Sequence, residues 1–143
     1  VIRRFLPLYS ANVDKGDHGL LARWAADCAE RVLIFFEDEF PGDKRPREAV
    51  EAAQAWACGE LTVGDARIAA FAAHAAARDT VRTSARAAAR AAGHAAETAY
   101  VVGNARHAAT YAATALGGAE RDWQRTQLAT HLWPIAFPPR QKY

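Results

Sequence analysis

Apolar positions along the chain recur at intervals of three and four and almost nowhere alternate. That is the period of helices buried along one face, not of strands. Leu21, Trp24, Ala25, Cys28, Val32, Phe35 and Phe36 share such a face and predict a first helix, which Pro41–Gly42 breaks. Pro46 falls in the first turn of a second helix, where its missing N–H is harmless, and Gly59 ends that helix after Trp56. Thr62 with Asp65 resembles a capping box and opens a third helix to about Arg78, its apolar face set by Ile68, Phe71, Ala72 and Ala75. Asp79 or Thr80 caps a fourth, running to Val102. Gly103–Asn104 interrupts the pattern, with Asn104 as N-cap of a fifth helix that stops at Gly117–Gly118. A sixth covers roughly residues 119–130. Residues 131–143 carry three prolines and predict an irregular tail, either wrapped over the bundle on Trp133 and Phe137 or standing off it. The expected fold is all-α: a single-domain bundle of about six alanine-rich helices over residues 1–143, with short loops and a proline-rich C-terminal tail.

Composition changes this picture in one respect. Hydrophobic residues make up 51% of the chain, but 36 residues are alanine. The core must therefore come from close helix approach around a few large side chains, expected to be Trp24, Phe35, Phe36, Trp56, Phe71, Tyr100 and Tyr111. No apolar run approaches the ~20 residues that span a bilayer, and no signal-peptide pattern opens the chain. Cys28 and Cys58 read as small buried hydrophobes of a cytoplasmic protein, with nothing to support a disulfide between them. The net charge of +2 hides a division. Residues 17–60 carry −5 and culminate in Glu37, Asp38 and Glu39, whereas residues 61–110 carry +3. An acidic end of this kind steers a basic partner.

The stretch RAAGHAAETAY, residues 90–100, sets Gly93 beside His94 inside an otherwise good helix, at a cost of roughly 1 kcal/mol relative to alanine. Arg82, Arg86, Arg90 and His94 form a stripe at four-residue spacing, extended by Glu97 and Thr98. Arg67, Phe71, His74 and Arg78 line up on the preceding helix. Two antiparallel helices would bring His74 and His94 together, and Gly93 would admit a ligand, a neighbouring backbone or a bulky ring such as Trp24 or Trp56. The candidate acid–base residues are His94 and His74, with Asp27 as orienter, because imidazole titrates near neutral pH. Asp27 reads equally well as the centre of an ion-pair ladder with Arg23 and Arg31. Trp24, Arg78, Arg90, Gly93, Glu97 and Tyr100 are the residues that would line a ligand pocket there. No metal site and no cofactor are expected, since neither His-Glu-x-x-His, paired Cys-x-x-Cys nor a repeated Glu-x-x-His occurs. The arginine stripe, without helix-turn-helix spacing, makes no case for nucleic-acid binding.

The blocks WAADCAERVL (24–33), RPREAVEAAQAW (45–56), AAHAAAR (72–78) and ARAAGHAAETAY (89–100) resemble those of the immunity-protein family numbered five in bacterial polymorphic toxin systems. The similarity extends through AATYAATAL and ERDWQ and so covers about residues 20–124. The resemblance implies a small all-helical protein in which Trp24, Asp27, Cys28, Arg45, Pro46, Trp56, His74, Gly93 and His94 recur. It also implies a function: stoichiometric binding and neutralisation of a cognate toxin, without catalysis. Glu37, Asp38 and Glu39 are then the candidate partner-binding residues, on a monomer or homodimer. The alternative is a small-molecule-binding protein or acid–base enzyme built on a His74/His94 pocket.

Overall fold

A computed structural model describes residues 13–139, and no strand occurs among them. Among these residues eight α-helices follow one another: α1 (Lys15–Glu30), α2 (Leu33–Glu37), α3 (Arg45–Ala57), α4 (Val63–Arg78), α5 (Thr83–Glu97), α6 (Asn104–Leu116), α7 (Glu120–Thr126) and α8 (Trp133–Ala136). The predicted all-α bundle is present, with most boundaries within a few residues of expectation. The differences have local causes.

The predicted first helix divides at Arg31–Val32. Apolar periodicity runs across this break, so the pattern could not reveal it. Arg31 turns its guanidinium to the Glu120 carboxylate and to the Trp123 ring, 3.8 Å away, and so ties the break to α7. α5 starts later than expected because residues 80–82 are non-helical: the Thr80 hydroxyl accepts from the Arg82 N–H, and its carbonyl accepts from the Arg86 guanidinium at 2.9 and 3.1 Å. The same helix ends at Glu97, where the Thr98 hydroxyl donates back to the His94 carbonyl at 3.0 Å. Asn104 is the first residue of α6, not its cap, which is Gly103; its side chain is turned to His94 instead. The tail is more regular than its prolines suggested. A 3₁₀ turn (Thr130–Leu132) leads into α8, whose Pro134 lies in the first turn, where no N–H is needed. Trp133 and Phe137 pack partly buried against the core, as anchors of a wrapped segment; residues 140–143 lie outside the described range.

α5 packs against α1, α2, α3, α4 and α6. Nine of its residues, all alanine or glycine, are buried. A helix enclosed on nearly every side needs small side chains all round, and the alanine content follows from that position. Trp24, Phe36, Leu21 and Leu33 supply the large fully buried volume. The buried face of α4 is Ala66, Ala70, Ala73, Ala76 and Ala77, so Ile68 and Phe71 are 68% and 62% exposed. The expected apolar face of this helix was thus placed on the wrong side: alanine, weak as a hydrophobic marker, marks the close contact. Cys28 is buried, but Cys58 is exposed at the end of α3, one residue past the helix, and both are free.

The Thr62 cap is formed as predicted, its hydroxyl accepting from the Asp65 N–H at 3.1 Å. Thr62→Ala is expected to lower stability by about 1 kcal/mol, as read from the urea midpoint at unchanged slope.

Candidate functional site

The seam of α4, α5 and α6 holds a polar cluster inside the alanine packing. His74, near the C-terminal end of α4, lays its ring on Gly93 of α5; a Cβ at that position would stand 2.7 Å from the ring atoms Cε1 and Nε2. Gly93 therefore admits a bulky ring, and the ring is that of His74. Arg90, one turn earlier on α5, donates to His74 Nδ1 at 2.9 Å. With Nδ1 accepting, the ring proton is on Nε2, which donates to the Glu97 carboxylate. Arg90, His74 and Glu97 thus form one directed hydrogen-bond chain.

His94 sits beside it, its ring centroid 4.8 Å from that of His74 in an edge-on arrangement. Its Nδ1–H donates to Asn104 Oδ1 at 3.1 Å and lies 3.5 Å from Glu97 Oε1. Tyr111 of α6 stacks on the ring at 5.3 Å and 8°, and His107 lies 5.2 Å away. Burial pushes the His94 imidazole down to about 4; the Glu97 charge opposes this, and His74 reinforces it. Burial also leads the shift of His107, downward, with the Arg106 charge adding to it. For Glu97 burial acts upward, but the His74 hydrogen bond, the neighbouring imidazoles and the Tyr100 hydroxyl outweigh it and hold the carboxyl below its usual range. Tyr100 closes this end of the cluster, its ring 4.8 Å from the Arg67 guanidinium. Glu97 is therefore ionised and His94 neutral at pH 7.

Of the residues singled out in the sequence, His74, His94, Arg90, Gly93, Glu97 and Tyr100 are brought together. Asp27, Trp24 and Arg78 are not. Asp27 is exposed on α1, and its carboxylate makes no hydrogen bond or ion pair to either histidine, nor to the side chains of Arg23 or Arg31, among the described residues. The orienting groups are instead Arg90 and Glu97 for His74, and Asn104 for His94. The indole of Trp24 is core, donating to the Gln124 carbonyl at 2.8 Å. Arg78 is exposed at the end of α4. In the acidic stretch, Glu37 is held by the Arg47 guanidinium at 2.6 Å and Glu39 lies 3.4 Å from Arg82. Asp38 is exposed, with no ion pair among the described residues. Asn104, His107 and Tyr111 were not anticipated as site residues. Their spacing of three and four along α6 is the available signal, which the cap expected at Asn104 obscures. The arginines expected to form one stripe serve separate ties: Arg82, the N-cap of α5, to Glu39, and within α5 Arg86 to the Thr80 carbonyl and Arg90 to His74.

His74, His94 and Glu97 bring three ligand-type atoms within 4.8 Å of one another. The hydrogen-bond directions do not suit a cation. A metal on His74 Nε2 needs that nitrogen deprotonated and the proton on Nδ1, the atom that accepts from Arg90. A guanidinium cannot accept in return, so metal entry would require Arg90 to swing away.

No described helix is long and apolar enough to cross a membrane. No curated protein and no solved structure matches the chain. A family model does match, over residues 11–133, and on that match the chain belongs to the Imm-5 like putative immunity protein family.

Proposed function

We propose that this protein neutralises a cognate toxin by stoichiometric binding, without catalysis. The observation that carries the reading is the family match across residues 11–133. The polar cluster supports it. His74 is engaged at both ring nitrogens, Glu97 is shared between His74, His94 and Tyr100, and Gly93 lies under the His74 ring. Such a set, satisfied from within, fixes the register of α4, α5 and α6 against one another, a role suited to a rigid binding scaffold. Partner contact then falls to exposed groups. Asp38 offers an uncompensated negative charge, and Ile68 with Phe71 offers a large apolar pair on one helix face. Glu37 and Glu39 contribute less, because Arg47 and Arg82 already offset them.

Titration of the chain with its cognate toxin tests the reading. Asp38→Lys is expected to weaken the complex about tenfold, mainly through slower association that high salt masks, with an unchanged melting temperature. His94→Gln is expected to alter binding no more than its loss of stability accounts for. Unchanged affinity in Asp38→Lys would remove the acidic end from the interface.

One observation favours a second reading, a small-molecule or acid–base site. His94 is neutral, and its Nε2 makes no hydrogen bond among the described residues. A neutral imidazole with a free nitrogen can accept a hydrogen bond or a proton from a ligand, although its lowered pKa makes it a weak base. Under this reading His94→Gln abolishes an activity at temperatures where the variant is still fully folded, whereas the proposed function has no activity to lose.

A further inference from the structure

A cleft of about 470 Å³ opens between α6, α7 and the segment after α8. Arg106, His107 and Thr110 line it from α6, Arg121 and Arg125 from α7, and Phe137 from the last segment. No carboxylate lines it among the described residues. The Arg121 guanidinium is bound there by neutral oxygens, Gln124 Oε1 at 3.0 Å and Thr110 Oγ1 at 2.9 Å. Arg125 reaches one carboxylate, Asp122 at 3.5 Å, whose side chain is 90% exposed to competing water. Its guanidinium otherwise lies 4.9 Å from the centre of the Phe137 ring. Arg121 is half-buried, and both its burial and the Arg125 charge disfavour its protonated form. Like charges gathered in a concave site repel one another, and a bound oxyanion reverses the sign of that interaction.

We propose that this cleft binds a small organic phosphate, its oxyanion held by the guanidiniums of Arg121 and Arg125 and its carbon portion lying against Phe137. Arginine suits this chemistry because its planar fork matches two oxygens of a phosphate. The cleft volume falls in the range of roughly 300–1,000 Å³ typical of small-molecule sites, which favours a small anion over an acidic protein segment. The inference goes beyond toxin neutralisation and does not rest on it.

Calorimetric titration of the full chain with phenyl phosphate, at ionic strength held constant with sodium chloride, is the test. One-site saturable binding is expected, with inorganic phosphate binding more weakly because it does not reach Phe137. Arg125→Gln is expected to weaken phenyl phosphate about tenfold, and Arg125→Lys, which keeps charge but not the fork, by an intermediate factor. Arg78→Gln, an exposed arginine on α4, is expected to leave binding unchanged. Bound phosphate should also raise the His107 pKa in an NMR titration of the ring, because an anion nearby favours the imidazolium. Absence of saturation, an equal loss in Arg78→Gln, or binding of a glutamate-rich peptide but not of phenyl phosphate would each overturn the proposal.

Discussion

Gly93→Ala is expected to destabilise the protein by about 2 kcal/mol, although the same change in an exposed helix would stabilise it by about 1 kcal/mol. The new methyl group would stand 2.7 Å from two atoms of the His74 imidazole and 2.9 Å from a third. The ring cannot simply rotate out, because Arg90 holds one nitrogen and Glu97 the other. Displacing it leaves Glu97, a partly buried carboxylate, without its closest donor, and that loss outweighs the gain in helix propensity. Removing the ring should reverse the sign. In His74→Ala the obstruction is gone, and Gly93→Ala should then stabilise by up to about 1 kcal/mol. The coupling between the two sites would be about 2–3 kcal/mol, measured from urea midpoints of the four proteins. A Gly93→Ala effect of the same sign in both backgrounds would contradict this account of the glycine.

Acid is expected to weaken the fold through the same cluster. Folding depresses the His94 pKa from 6.5 to about 4. At pH values below about 6.5 the unfolded chain takes up a proton that the folded chain refuses until about pH 4. Stability from this group is therefore fully present above pH 6.5 and is lost as the pH falls between those values. With solvent reaching part of the ring, the loss amounts to about 2 kcal/mol. His107, also depressed, acts in the same direction. Glu97, whose carboxyl is held down, adds a further loss only as pH falls through its folded pKa, below its ordinary 4.5. Urea denaturation at pH 7.0, 5.5 and 4.0 reads the sum, and His94→Gln isolates the main contributor. The variant should be less stable than the parent at pH 7 but should lose less on acidification. Parallel pH curves for the two proteins would remove His94 from the account.

The helices were legible because their ends are written in residues with local physics: Pro46 inside a first turn, Thr62 with Asp65 as a cap, Gly117 at a positive φ. What failed was whatever depended on contacts across the bundle. The break at Arg31 answers to Glu120 and Trp123, which lie far along the chain. The buried face of α4 was misassigned because its Ile68 and Phe71 outweigh alanine in any hydrophobic count, while alanine decides how closely α5 approaches. The cluster itself was half visible. His74, Arg90, Gly93, His94 and Glu97 lie at helical spacing on two successive helices, and a short connection places such helices side by side. Asn104, His107 and Tyr111 enter from a third helix, where the spacing was present but the expected cap took precedence. Asp27 misled for the opposite reason: flanking arginines at i±4 suggested a set of interactions that tertiary structure did not form, with Arg31 drawn to Glu120 and Arg23 to the Cys58 sulfur.

A protein that acts by binding and not by turnover, as proposed here, is consumed in proportion to its toxin. Toxin activity measured against increasing equivalents of this chain, at toxin concentrations well above the dissociation constant, tests it most directly. Stoichiometric binding gives a linear fall to an end point at one equivalent, reached at once and unchanged by longer incubation. Progressive inactivation by a small fraction of one equivalent would contradict it, and would make the neutral His94 the first residue to examine as a catalyst.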